Sequence, residues 1–278
     1  MHTQTKEFTL EDSMNYYDIT IPVWPPSGSE RSATDLAKPD ERNLRYGITA
    51  EELQSGYCQA EKDLGSSVPE QIRKRITVSR DLGAHAWFCY EFHAVSSFWS
   101  ISCVEMALRW KFAEENPGPF DLRRGAKGKV ISVPLSELET CLRQRYRIVS
   151  MPEFDNSFHS LLKWAFTNGV LPRDIPICLQ EIRQAYDARF RLMIFPDLAK
   201  KAGLLGPNPN LGEIDRAWAN LGPAGQQAYL PDNATVLTEG LPRLRNGMAH
   251  PTFNWVLFPR SGIDAYRQLI EICRRLWK

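Results

Sequence analysis

The stretch from His85 to Phe112 most constrains what this chain can fold into. Its apolar positions include Phe92, Val95, Ile101, Val104, Leu108 and Phe112, which wind around most of a helical cylinder instead of lining one stripe. A helix of that kind has to be covered on several sides, so the pattern predicts a central helix with others packed around it. Asn116-Pro117-Gly118-Pro119 then ends it, because proline removes a ladder donor and glycine favours turns. With 278 residues and 43% hydrophobic content, the chain has enough apolar material for a packed core.

Further helices follow by the same periodicity. Ser67 and Pro69 suit a helix start near Val68. Ser136 with Glu139 reads as a capping box for a helix through about Arg145. Residues 156–168 carry Phe158, Leu161, Leu162, Ala165 and Phe166 at helical spacing, closed by Asn168-Gly169. Leu179 to Met193 gives another helix, ended by Pro196, and Asn210 with Glu213 caps a short one bearing Ile214 and Trp218. Tyr266, Leu269, Ile270, Cys273 and Leu276 mark the inner face of a last helix over about 263–277. Residues 128–133 read as a short strand or an extended linker. Residues 1–80 read as a lead segment, partly extended, with a weak strand alternation at Ile19, Ile21 and Val23 before Pro25 and Pro26. The expectation is a mainly α chain with little room for a sheet: a lead segment over 1–80 and a helical domain over 81–278.

The net charge is +1, so global charge argues for neither nucleic acid nor membrane, and any anion-binding surface must be local. Six cysteines are scattered without a Cys-x-x-Cys pair, which reads as a reducing compartment instead of a disulfide framework. The first ten residues are polar and no run reaches the apolar length of a membrane span, so a cytoplasmic protein is expected.

The chemistry concentrates in Arg245-Asn246-Gly247-Met248-Ala249-His250-Pro251. Histidine gives and takes protons near neutrality, and arginine is the preferred fork for phosphate oxygens. In one regular helix Arg245 and His250 would lie about 140° apart and could not share a phosphate. Asn246-Gly247 is a helix-ending pair, and Pro251 disfavours the α region for His250. The sequence therefore predicts that Arg245 closes a helix and His250 sits in a turn beside it. Such a pair suits metal-free RNA cleavage. A base takes the 2′-hydroxyl proton, that oxygen attacks phosphorus, an acid protonates the leaving 5′-oxygen, and arginine stabilises the phosphoryl charge. One histidine per chain supplies one proton-transfer group, so two facing copies, in a homodimer with a composite site, would supply both. The plain structural alternative is a helix C-cap, with Arg245 on terminal carbonyls.

The Arg-Asn-x-x-x-His pattern at Arg245, Asn246 and His250 resembles the signature of HEPN (higher eukaryotes and prokaryotes nucleotide-binding) domains. Residues 96–111 are similar to the long early helix of such domains and 158–165 to the next, over a resemblance that covers about 85–278. The resemblance implies an up-and-down helical bundle, here with a helical insertion at about 172–232, and dimerisation across the motif. It implies a metal-independent endoribonuclease acting as a toxin, abortive-infection or antiviral effector on RNA. No cofactor is implied; an antitoxin or sensor protein is the further partner. By carry-over Arg245 and His250 are catalytic, while Asn246 and, on the early helix, Glu105 support them; a salt bridge from Glu105 to Arg109 one turn on is the structural alternative. One branch of the family has a tyrosine two positions after the histidine, where this chain has Thr252. Some members are catalytically silent modules that bind a nucleotide, an RNA or a protein, and that is the alternative function.

Other features weigh less. His85, Cys89 and His93 stand four apart, but a helix rises about 12 Å over eight residues, too far for three ligands to wrap one tetrahedral ion, so no metal site is expected. The basic groups Arg73-Lys74-Arg75, Arg123-Arg124 and Arg143/Arg145/Arg147 suit an RNA backbone or, individually, a solvated face. His159, near a helix start, reads as a surface residue.

Overall fold

The computed structural model describes residues 38–249 and 259–278, which are mainly helical. Chain contacts separate Met1–Lys38 from one compact unit, Pro39–Lys278. The larger unit opens with helices α1 (Glu41–Arg45), α2 (Ala50–Glu61) and α3 (Glu70–His85), followed by the long α4 (Phe92–Glu115). Strands β1 (Phe120–Arg124) and β2 (Val130–Val133), helix α5 (Leu135–Arg143) and strand β3 (Tyr146–Ile148) come next. Helices α6 (Phe158–Thr167), α7 (Gln180–Arg189), α8 (Phe195–Lys201), α9 (Leu211–Asn220), α10 (Gly222–Tyr229), α11 (Asn233–Ala249) and α12 (Pro259–Leu276) complete it. No helix among the described residues is long and apolar enough to cross a membrane.

The central helix expected from sequence is α4. It packs against α3, α6, α11 and α12, and buries Ile101, Cys103, Val104, Ala107, Leu108 and Phe112. Each fully buried Leu or Ile of that set contributes roughly 1.5–3 kcal/mol. The helix starts later than its apolar pattern suggested. Residues 86–91 are turns between α3 and α4, so His85 ends one helix and His93 begins another.

Residues 39–80 depart from the lead-segment reading, and the break in chain contacts falls after Lys38 instead of at 80. Thr49 and Glu52 form a complete capping box that starts α2, a signal present in the sequence but outweighed by the polar, turn-rich run before it. Tyr57 and Leu53 of α2 are buried, with α2 packed on α3 and α12. The close approach depends on glycine: a Cβ at Gly83 would lie 2.0 Å from the Tyr57 ring and one at Gly262 2.8 Å from its hydroxyl.

α3 starts directly after Pro69, as the sequence suggests, although Ser67 donates its hydroxyl to the Trp277 carbonyl and does not cap it. Pro134, not Ser136, precedes α5. Asn210 and Glu213 make the capping box of α9 as read. Pro196 does not stop the chain from helical progress. A π turn over Phe190–Ile194, with the Phe195 N–H reaching the Phe190 carbonyl, carries α7 into α8 around the missing proline donor.

A three-stranded antiparallel sheet in the order β2-β1-β3 is the main departure from the expectation of an almost sheet-free chain. Of the three strands only β2 falls in a stretch, 128–133, that reads as a short strand or an extended linker. β1 alternates Phe120 and Leu122 inward with Asp121 and Arg123 outward, too short a period to stand out, and β3 has three residues. Phe120 stacks near Phe112 at the end of α4, so the sheet rests on the core.

Helices α7 to α10 lie within residues 172–232 and have a small core of their own, Phe190, Phe195, Ala199 and Ile214 with Trp218 against Phe195. The chain on either side of them is pinned by polar side chains. Buried Gln268 of α12 accepts from the Cys178 N–H at 2.8 Å and donates to the Pro176 carbonyl at 3.2 Å. Asn233 donates to the Ile175 carbonyl at 3.0 Å, and Arg173 pairs with Asp232 at 2.6 Å.

Candidate active site

Glu105 and Arg245 meet. The α4 positions Ile101 and Leu108 are buried, so Glu105 between them is held at the edge of the core, with its side chain 15% exposed. On α11, Leu241 and Leu244 are buried and Met248 packs on the same core, which aims Arg245 along the seam toward α4. An Arg245 guanidinium nitrogen lies 2.7 Å from Glu105 Oε2. Arg109 donates to Glu105 Oε1 at 2.8 Å. The Glu105 carboxylate therefore bridges the two guanidinium groups.

This arrangement leaves a net positive cluster at the protein surface. Each carboxylate oxygen is engaged by one arginine, while Arg245 has five N–H donors and the pairing uses only part of that capacity. Its guanidinium sits 6.0 Å from the Phe158 ring centroid on α6, and its Nε is buried without a hydrogen-bond partner among the described residues. The side chain is 30% exposed, so it is held by Glu105 and the ring yet reaches solvent. Chemically, such a fixed, half-open guanidinium can engage a phosphate oxygen.

The other motif residues are placed differently. Asn246 is exposed on α11. The expected helix stop at Asn246-Gly247 does not occur, because α11 runs on to Ala249. Glycine inside a helix costs only about 1 kcal/mol relative to alanine, and burial of the Leu241, Leu244 and Met248 face outweighs it. Arg245 is thus inside the last turns of a helix and does not close it. His250, Pro251 and Thr252 lie outside the described residues.

His159 of α6 faces α11, with Nδ1 3.2 Å from the Thr238 carbonyl and 4.0 Å from Glu239, which also pairs with Arg243. Phe158 and His159 are site neighbours that no local pattern announced. Arg109, by contrast, was legible from its spacing to Glu105.

His85, Cys89 and His93 do not converge, because the chain turns between the first and the last. His85 Nδ1 lies 2.8 Å from the Asp81 carbonyl, and Cys89 donates to Glu91 at 3.3 Å. His93 is fully buried, its Nε2 2.9 Å from Asn43 Oδ1, while Asn43 donates to the Ala86 and Trp87 carbonyls. Burial pushes the His93 imidazole down to about 4, with Asp40 opposing and Arg42 assisting, so it is neutral at physiological pH. Among the described residues no three His, Cys, Asp or Glu side chains are placed to share a metal ion. No family model, curated protein or solved structure matches the chain.

Proposed function

We propose that this chain is a HEPN-type, metal-independent endoribonuclease that works as a homodimer and serves as a toxin or defence effector. The observation that carries the reading is the Glu105–Arg245 pair at 2.7 Å, which ties the motif arginine to the acidic residue expected to support it. In this reading Arg245 stabilises charge on the phosphoryl oxygens, and Glu105 and Phe158 fix where its guanidinium points. One His250 takes the 2′-hydroxyl proton as that oxygen attacks phosphorus, and the second copy, from a partner subunit, protonates the 5′-oxygen as the P–O5′ bond breaks. In this reading Asn246, exposed one position after Arg245, supports the site.

The test is cleavage of total RNA, with and without EDTA, by the parent protein and by His250→Ala. Cleavage that resists EDTA and disappears in the variant supports the reading. Absence of cleavage by a folded, dimeric parent protein overturns it.

A second reading has its own observation. Arg245 lies within an unbroken helix and is ion-paired, as a purely structural arginine would be. The chain is then a silent helical module binding a nucleotide, an RNA or a protein, and the same assay separates the two.

A further inference from the structure

We propose that the outward face of the three-stranded sheet is a docking surface for the phosphate backbone of a single RNA strand. Two basic groups more than twenty residues apart in sequence, Arg123-Arg124 and Arg145/Arg147, are brought together here. Arg123 and Arg147 are direct cross-strand partners, and both point outward, since Leu122 and Ile148 on either side are buried. Side chains so paired have Cβ atoms about 5 Å apart, and like charges at that spacing oppose each other. The Asp155 carboxylate feels the charge of Arg147, yet no described carboxylate comes within ion-pair distance of either guanidinium. Arg143 nearby is paired with Glu139 at 2.5 Å, whereas Arg123, Arg124, Lys127, Lys129, Arg145 and Arg147 form no ion pair with any described acidic residue.

Shape agrees with charge. Arg123 and Arg147 line a shallow depression of about 270 Å³ with Gly125, Val149 and Pro152. A second depression shares Ile148 and Val149 with it and extends along Asp121 to Asn116. The two adjoin at Ile148 and Val149. Half-exposed Val149, and Val130 paired with Arg123, offer apolar contact to sugars and bases without reading sequence. The outward residues Asp121, Arg123, Val130, Ser132, Arg147 and Val149 include no aromatic ring, so the surface binds by charge. The sheet follows the C-terminal end of α4, about 15 Å along the helix from Glu105, close enough for one strand to reach both.

Naming RNA as the polyanion rests on the nuclease reading; the site itself does not. The experiment therefore uses a fluorescein-labelled 2′-O-methyl RNA strand, which cannot be cleaved by 2′-oxygen attack, and reads anisotropy against salt concentration. The Arg123→Gln/Arg147→Gln double variant is expected to bind about tenfold more weakly, with the slope of log K against log salt shallower by about 1.4. Lys201→Gln/Arg216→Gln, exposed on α8 and α9, which do not pack on the sheet, is expected to leave both unchanged. Equal affinity and slope in the parent and the sheet variant overturn the proposal. So does binding to phosphatidylserine vesicles, but not RNA, that depends on Arg123 and Arg147. RNA cleavage that persists beside an indifferent sheet variant sinks this inference alone. Sheet-dependent binding without cleavage sinks the nuclease reading alone.

Discussion

Two stretches of α4, a sealed one at its N-terminal end and an open one around Glu105 near its middle, handle polar side chains in opposite ways. Around His93 the groups hydrogen-bonded inside the core are neutral and sealed, and the charged Asp40–Arg42 pair stands beside them. Ser96 donates to the Ser79 carbonyl at 3.0 Å, Ser79 and Ser100 share a hydrogen bond at 2.5 Å, Tyr57 reaches Ser96 at 3.3 Å, and His93 meets Asn43. Around Glu105 the groups are charged and stay half open to solvent. The difference follows from desolvation. A neutral hydroxyl or amide needs one good partner to be buried, whereas an ion pair sealed from water seldom recovers its hydration. The sealed end holds the helices at fixed spacing; the open stretch keeps donors available for a ligand.

The strongest way to break that contrast is to disable the open stretch. His250→Ala and Arg245→Ala are each expected to lower RNA cleavage by about 10²–10⁴-fold while the thermal unfolding transition stays cooperative. If both variants cleave like the parent, the open stretch is only a helix clamp.

The sealed end makes a pH prediction. His93 titrates at about 4 when folded against 6.5 as its ordinary value, so between these limits the unfolded chain binds more protons. Stability then rises with pH across that window and is lost on acidification through it, by about 3 kcal/mol in total. Urea unfolding of the parent and of His93→Gln at a series of pH values checks this, the variant having the flatter profile. A parent profile as flat as the variant's would place His93 in contact with water.

Spacing at the same end is tested by Gly83→Ala. The added methyl meets the enclosed Tyr57 ring and is expected to cost about 1–3 kcal/mol in chemical denaturation. The smallest effect belongs to Glu105→Gln, about 1–2 kcal/mol because both partners retain some solvent. Under the nuclease reading this variant also loses cleavage, whereas Arg109→Ala, whose guanidinium meets Glu105 away from Arg245, retains most of it. Equal losses in both would make the whole cluster one structural unit.

Much of the helical order was legible because it rests on periodicity. The winding apolar positions of α4, the Asn210–Glu213 box and the inner face of α12 each carry their own local signal. Where local signals competed, the stronger partner in space won. Asn246-Gly247 reads as a stop and is helix, because Leu241 and Leu244 are gripped by the core. Ser136 reads as a cap and is not one, because the chain enters α5 directly from β2 through Pro134. The Arg-rich strands were not legible at all, since a three-residue β3 has no period to detect.

By itself, the amino-acid order determined that this chain would be helical around one buried rod, and that arginine, amide and imidazole would stand within six residues near its end. Those properties depend on the repeat of apolar residues and on covalent adjacency. Only the tertiary structure decided that Glu105 would clasp Arg245 and Arg109 together, that Phe158 would lie beside the guanidinium, and that Arg123 would stand opposite Arg147. Contacts between residues far apart in the chain depend on how helices and strands pack against one another, and no local pattern encodes that register.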